Sequence, residues 1–125
     1  PRSHAIECRI YAEDPDLGFM PSPGLVRAIS TPGGPGIRDD RGVAPGFEIP
    51  VFYDSMIAKL IAWGDTRADA IVRLGRALDE YQVAGVKTTV PLHLRILDRT
   101  RRAPAGQSTA RRPAAARRRR PATRL

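Results

Sequence analysis

The stretch DSMIAKLIAWGDTRADAIVRLGRALDEYQ, residues 54–82, joins two patterns of different period. From Ile57 to Trp63 it is almost wholly apolar. Such a short run suits a buried strand as well as a buried helix turn; Gly64 and the cap signal behind it favour the strand. From residue 65 the period lengthens. Ala70, Ile71, Leu74, Ala77, Leu78 and Tyr81 recur three and four apart, which predicts a long amphipathic helix over 65–82. Asp65 or Thr66 is placed to cap its first turn, and Asp69 lies at the positive end of its dipole. Gly75 costs this helix about 1 kcal/mol relative to alanine and is expected to allow a close approach.

The flanks extend this strand-then-helix unit. HAIECRIYAE (4–13) alternates, with Ile6, Cys8 and Ile10 on one face and Glu7 and Arg9 on the other, so a half-buried strand is expected. DPDLGFMPSPG (14–24) is rich in breakers and reads as a loop. LVRAIS (25–30) reads as one short strand, GIRDD (36–40) as a third, and VAGVKTTV (83–90) as a turn into an extended piece. PLHLRILDR (91–99) reads as a short helix with Pro91 at its first position. The fold class expected is α+β: a mainly antiparallel sheet with one long amphipathic helix and a short C-terminal helix.

Charge divides the chain in two. Its 125 residues carry a net charge of +8, which alone would suggest a polyanion partner. Residues 1–100 hold 12 basic and 13 acidic side chains, a net of −1, whereas 101–125 hold nine arginines and no acid. The basic character therefore belongs to the Arg/Ala/Pro-rich end. That end has no aromatics and a single leucine, too little apolar surface to offset its ordering entropy. We expect one domain over 1–100 and a disordered tail over 101–125. Lacking aromatics for base stacking, the tail makes nucleic acid a disfavoured partner. A non-enzymatic basic module binding nucleic acid or another polyanion through the tail is the alternative function. The lone Cys8 excludes an internal disulfide and fits a reducing, cytoplasmic setting. Neither a membrane span nor a signal peptide is expected. The first residue is Pro1 rather than methionine, and a fragment is expected.

TPGGPGIRDD (31–40) is the stretch with chemical content. It lacks the third glycine of a dinucleotide fingerprint and the Gly-Lys-Ser/Thr of a phosphate loop. Gly33, Gly34 and Gly36 instead let the chain turn, and the strand that follows presents Arg38. On residue type alone Arg38 reads as a surface arginine paired with Asp40. Elsewhere the plain readings prevail. Asp54 and Ser55 can satisfy the backbone of a turn. Lys59 can carry its amine out of an apolar strand. His93 reads as a helix-surface or core histidine. His4 and Cys8 on one strand face would stand about 13 Å apart, so no metal is expected.

HAIECRIYAEDPDLGFMPSPG, GGPGIR, YDSMIAKLIAWG and EYQVAGVKTTVPLHLRIL, in this order and spacing, resemble the C-terminal domain of biotin carboxylase over His4–Asp98. This is the biotin carboxylase component of acetyl-CoA, propionyl-CoA and related carboxylases, and fatty-acid biosynthesis is among its roles. The resemblance implies a ligase in which ATP activates bicarbonate and a carboxyl group is placed on a ureido nitrogen of carrier-bound biotin. It implies that Arg38 is catalytic, stabilising charge on the ureido oxygen, with Gly33, Gly34, Gly36 and Asp40 supporting it. It also implies ATP and Mg bound by an upstream part, a biotin carboxyl carrier domain and a carboxyltransferase as partners, and a homodimer. Trp63 and Arg67 would lie at the dimer interface; a Trp63 buried in the monomer core is the other reading. The cofactor-binding residues belong to the missing ATP-binding domain, so this chain alone is expected to be inactive.

Overall fold

The structure, a computed structural model, describes residues 2–102. The expected disorder of 101–125 lies outside the described residues, apart from Arg101 and Arg102. Nine strands and two helices are described: β1 His4–Tyr11, β2 Glu13–Asp14, β3 Met20–Pro21, β4 Gly24–Leu25, β5 Ala28–Ser30, β6 Ile37–Arg41, β7 Glu48–Ile49, β8 Met56–Gly64, α1 Arg67–Glu80, β9 Gln82–Ala84 and α2 Val90–Arg102. All pairings are antiparallel, so the α+β expectation holds.

The centre is a three-stranded sheet ordered β1-β8-β6. The run 57–63 is a strand because it has a partner on both sides: Cys8 and Asp39 both stand opposite Leu60. Side chains alternate across the pleat. One face carries Ile6, Cys8 and Ile10 from β1, Ala58, Leu60 and Ala62 from β8, and Ile37 and Asp39 from β6. Helix α1 packs here, burying Ala70, Leu74, Ala77 and Leu78. Ile10, Leu60, Leu74 and Leu78 are at most 1% exposed, and each contributes roughly 1.5–3 kcal/mol through burial. The opposite, open face carries Ala5, Glu7, Arg9, Lys59, Ile61, Trp63, Arg38 and Asp40. All of these are exposed or half-buried.

Helix α1 starts as its capping residues direct. Thr66 Oγ1 accepts from the Asp69 amide at 3.1 Å, and Asp69 Oδ2 accepts from the Thr66 amide at 3.1 Å, which closes a capping box. Gly75 admits a side chain rather than a backbone: the Arg101 guanidinium of α2 lies over it and donates to the Ile71 carbonyl at 3.4 Å. Helix α2 begins one residue earlier than expected, with Pro91 second, and runs past residue 99 to Arg102. Its start is tied to β1, since the Thr89 amide donates to the Tyr11 carbonyl at 3.1 Å.

Two segments differ from their expected form. The strand expected over 25–30 divides, because its halves have different partners: Leu25 pairs with Glu48, and Ala28 with Ala84. Between them the Val26 amide donates to the Phe47 carbonyl and the Arg27 amide to the Ala84 carbonyl. The loop expected over 14–24 contains the β2–β3 pairing around a short 3-10 turn, Pro15–Leu17. Phe19 there holds a left-handed φ of 62°.

Candidate active site

Ring constraint and missing side chains at 32–36 make the chain reverse before β6. Gly34 and Gly36 take φ of 102° and 78°, the left-handed region that glycine tolerates. Gly36 is buried; a methyl group there would meet the Trp63 carbonyl oxygen and the Arg73 side chain. Gly33 has open space around it, so of the three turn glycines it carries least of the constraint. The turn closes with the Ile37 amide donating to the Gly34 carbonyl at 3.3 Å and the Trp63 amide donating to the Gly36 carbonyl at 2.9 Å.

Arg38 follows, opposite Ile61 of β8, on the open face of the sheet. Its side chain is 74% exposed, and Nε donates to Asp40 Oδ1 at 2.9 Å. Asp40 raises the guanidinium pKa above its ordinary value, first through that hydrogen bond and then through its charge. The ion pair is exposed and adds little to stability. That pairing engages Nε, and the two terminal nitrogens are the remaining donors of the planar guanidinium. The described residues also form two shallow hollows of about 510 Å³, one lined by residues 41–47 and the other by Pro23, Gly24 and residues 48–51. Arg38 lines neither.

Behind Arg38, on the α1 face, Asp39 is held by two partners. Arg41 Nε lies 2.8 Å from Asp39 Oδ2, and Tyr81 Oη donates to Asp39 Oδ1 at 3.3 Å. Burial pushes the Asp39 carboxyl up, against the lowering by Arg41 and Tyr81. Burial and the adjacent carboxylate push the Tyr81 phenol up as well.

Two arginines of α1 grip the turn. Arg73 Nη1 donates to the Trp63 carbonyl at 2.7 Å, and its guanidinium lies 5.5 Å from the centre of the Trp63 ring. Arg76 Nη2 donates to the Gly33 carbonyl at 3.4 Å. Neither stands out in the sequence, where both read as the solvated face of a helix. Each has an acidic neighbour four residues away, Asp69 for Arg73 and Glu80 for Arg76, and Arg76 Nη1 pairs with Glu80 at 3.0 Å, so a local reading already accounts for them. Tyr81 reads there only as an apolar helix position.

The remaining candidates fall as follows. Trp63 is 48% exposed, so the buried-core reading does not hold. The arginine stacked on it is Arg73; Arg67 is exposed at the start of α1. Asp54 Oδ1 accepts from the Met56 amide at 3.0 Å, and Ser55 Oγ donates to Glu13 at 3.3 Å, which are structural roles. His93 Nε2 lies 2.8 Å from the Arg9 carbonyl. Among the described residues no three His, Cys, Asp or Glu side chains group as a metal requires. No helix of the described residues is long and apolar enough to cross a membrane.

A model of the biotin carboxylase C-terminal domain matches residues 7–110. A pyruvate carboxylase subunit of Methanothermobacter thermautotrophicus is 56% identical over 96 residues, covering 77% of this chain and 20% of that one. Biotin carboxylase 1 of Bacillus subtilis is 53% identical over 94 residues, covering 75% and 21%. The biotin carboxylase domain dimer of Hydrogenobacter thermophilus 2-oxoglutarate carboxylase, solved with MgADP, ADP and bicarbonate, superposes with a TM-score of 0.73. It is 48% identical, and the match covers 75% of this chain and 21% of that one. The chain thus spans about a fifth of the length of these relatives. Their names include pyruvate and 2-oxoglutarate carboxylases, so these relatives single out neither acetyl-CoA carboxylase nor fatty-acid biosynthesis among the expected roles. With a fitting domain model, half-identical relatives and the same fold, the chain belongs to the biotin carboxylase C-terminal domain family.

Proposed function

We propose that this chain forms the C-terminal part of a biotin carboxylase and that Arg38 acts in its carboxylation half-reaction. The supporting observation is the placement of Arg38: on the open face, behind a turn in which Gly34 and Gly36 hold left-handed φ, with Nε held by Asp40 at 2.9 Å. When the ureido proton of carrier-bound biotin leaves, charge builds on the ureido oxygen. A permanently protonated fork beside that oxygen stabilises it, and a preset donor of this kind is worth about 10²–10³ in rate. The same group suits bicarbonate, a planar anion of matching geometry.

ATP and Mg do not fit this chain's own residues. The described residues offer no metal-ligand cluster, and the sequence has no phosphate loop. Both are proposed to bind the upstream part of the full enzyme; one relative was solved with MgADP and bicarbonate. Alone, the chain is proposed to be inactive. A biotin carrier and a carboxyltransferase are its proposed partners, in the cytoplasm, with the final acceptor chosen by the transferase. A homodimer is proposed in the full enzyme, with Trp63 and Arg67 at the contact; the half-exposed Trp63 ring supports this.

The test is a fusion of the whole chain to the upstream part of the Bacillus subtilis relative. Biotin-dependent ADP release by the fusion, with none from this chain alone, is expected. A fusion that folds and stays inactive, or a chain that turns over ATP unaided, would overturn the proposal.

A further inference from the structure

Arg38 stands on an edge strand. Sheet order β1-β8-β6 leaves β6 with one neighbour, and β6 is five residues long. A slip of one residue would turn Arg38 from the open face into the helix layer. The side chain's own contact, the exposed pair with Asp40, moves with the strand and cannot prevent that. The holding contacts come from α1 and its C-cap. On the N-terminal side, Arg73 donates to the carbonyl of Trp63 at 2.7 Å and packs against Gly36. The Trp63 amide in turn holds the Gly36 carbonyl at 2.9 Å. On the C-terminal side, Tyr81 donates to Asp39 at 3.3 Å, and Asp39 is paired with Arg41. The bond from Tyr81 marks the register, because a one-residue slip would carry Asp39 to the open face, away from the Tyr81 hydroxyl, and would turn Arg38 or Asp40 into the helix layer without that partner.

We propose that Arg73 and Tyr81 are positioning residues for Arg38, gripping the turn at Gly36 and β6 at Asp39, on either side of it. This rests on the role of Arg38 given above. The two grips sit eight residues apart, on α1 and its C-cap, so one rigid helix sets both, and a tilt of that helix moves the guanidinium.

The test uses the fusion described above. Tyr81→Phe keeps the ring and removes the donor; Arg73→Ala removes the other grip. Each is expected to lower kcat by about tenfold to a hundredfold, the scale of a small misplacement of a reacting group. KM for ATP is expected to stay unchanged. In an Arg38→Ala background neither substitution should lower kcat further, because what they position is gone. Arg73→Lys should recover part of the loss, since an ammonium still reaches the Trp63 carbonyl. Thr66→Ala is the control: it weakens the same helix through its cap and should lower the thermal midpoint while leaving kcat at low temperature intact. Wild-type kcat in both single variants, or losses that multiply fully with Arg38→Ala, would overturn the positioning role. Wild-type kcat in Arg38→Ala itself would instead overturn the underlying assignment.

Discussion

Replacing Gly36 by alanine probes the turn that presents Arg38. The new methyl would stand 2.8 Å from the Trp63 carbonyl oxygen, a backbone atom that cannot swing aside. Forcing an L side chain into φ of 78° costs about 1–2 kcal/mol. Overpacking against backbone adds roughly 1–3 kcal/mol. The Arg73 guanidinium, which occupies the same space, must also leave the Trp63 carbonyl and ring. A loss of about 2–5 kcal/mol follows, or a fall in thermal midpoint of at least ~10 °C for a domain of this size. Gly33→Ala is the matched control: nothing lies within 4 Å of its methyl and its φ is not left-handed, so a neutral or slightly stabilising effect is expected. Thermal unfolding followed by circular dichroism compares the two directly. Equal midpoints would refute the claim that the 33–36 turn is locked from α1 and β8.

Cys8 is pushed up to about 11 by burial first and by Glu7 second, so at pH 8 its thiolate is about a hundredfold scarcer than in the unfolded chain. Alkylation should be slower by that factor in the native protein, with the difference vanishing in urea. Thr66→Ala breaks the capping box and should cost about 1 kcal/mol, read as a lower denaturant midpoint at unchanged slope. The Tyr81 phenol has a folded pKa raised above its ordinary 10, so its contribution to stability is complete below that pH and is lost as pH rises through the folded value. Tyr81→Phe should therefore flatten the decline in stability above pH 10, and an unchanged decline would count against the phenol's burial beside Asp39.

What could be read in advance was whatever depends on near neighbours. The alternation of Ile6, Cys8 and Ile10, the periodic face from Ala70 to Leu78 and a cap at Asp65 or Thr66 are local, and each appears, with Thr66 as the cap and Asp69 completing a box that the sequence reading did not name. The seven-residue apolar run in β8 is decided correctly by its punctuation, Gly64 and the cap beyond it. What escapes such a reading depends on partners distant in the chain. Residues 25–30 divide because Glu48 and Ala84 claim the two halves, and no pattern within six residues can show that. At the candidate site, Arg38 and Asp40 are legible as an i, i+2 pair on one strand face. Arg73, Arg76 and Tyr81 are not, because a helix arginine looks the same whether it meets water or the carbonyl of a turn 43 residues away, as Arg76 does with Gly33.

The role of Arg38 is measured most directly in the fusion enzyme by comparing wild type with Arg38→Ala and Arg38→Lys. Turnover should fall by about 10²–10³ in Arg38→Ala, with KM for ATP and the thermal midpoint unchanged, since the side chain is exposed and pairs only weakly. Arg38→Lys should remain well below wild type, because an ammonium lacks the planar fork. Biotin carboxylation at the wild-type rate in Arg38→Ala would contradict the account at its centre.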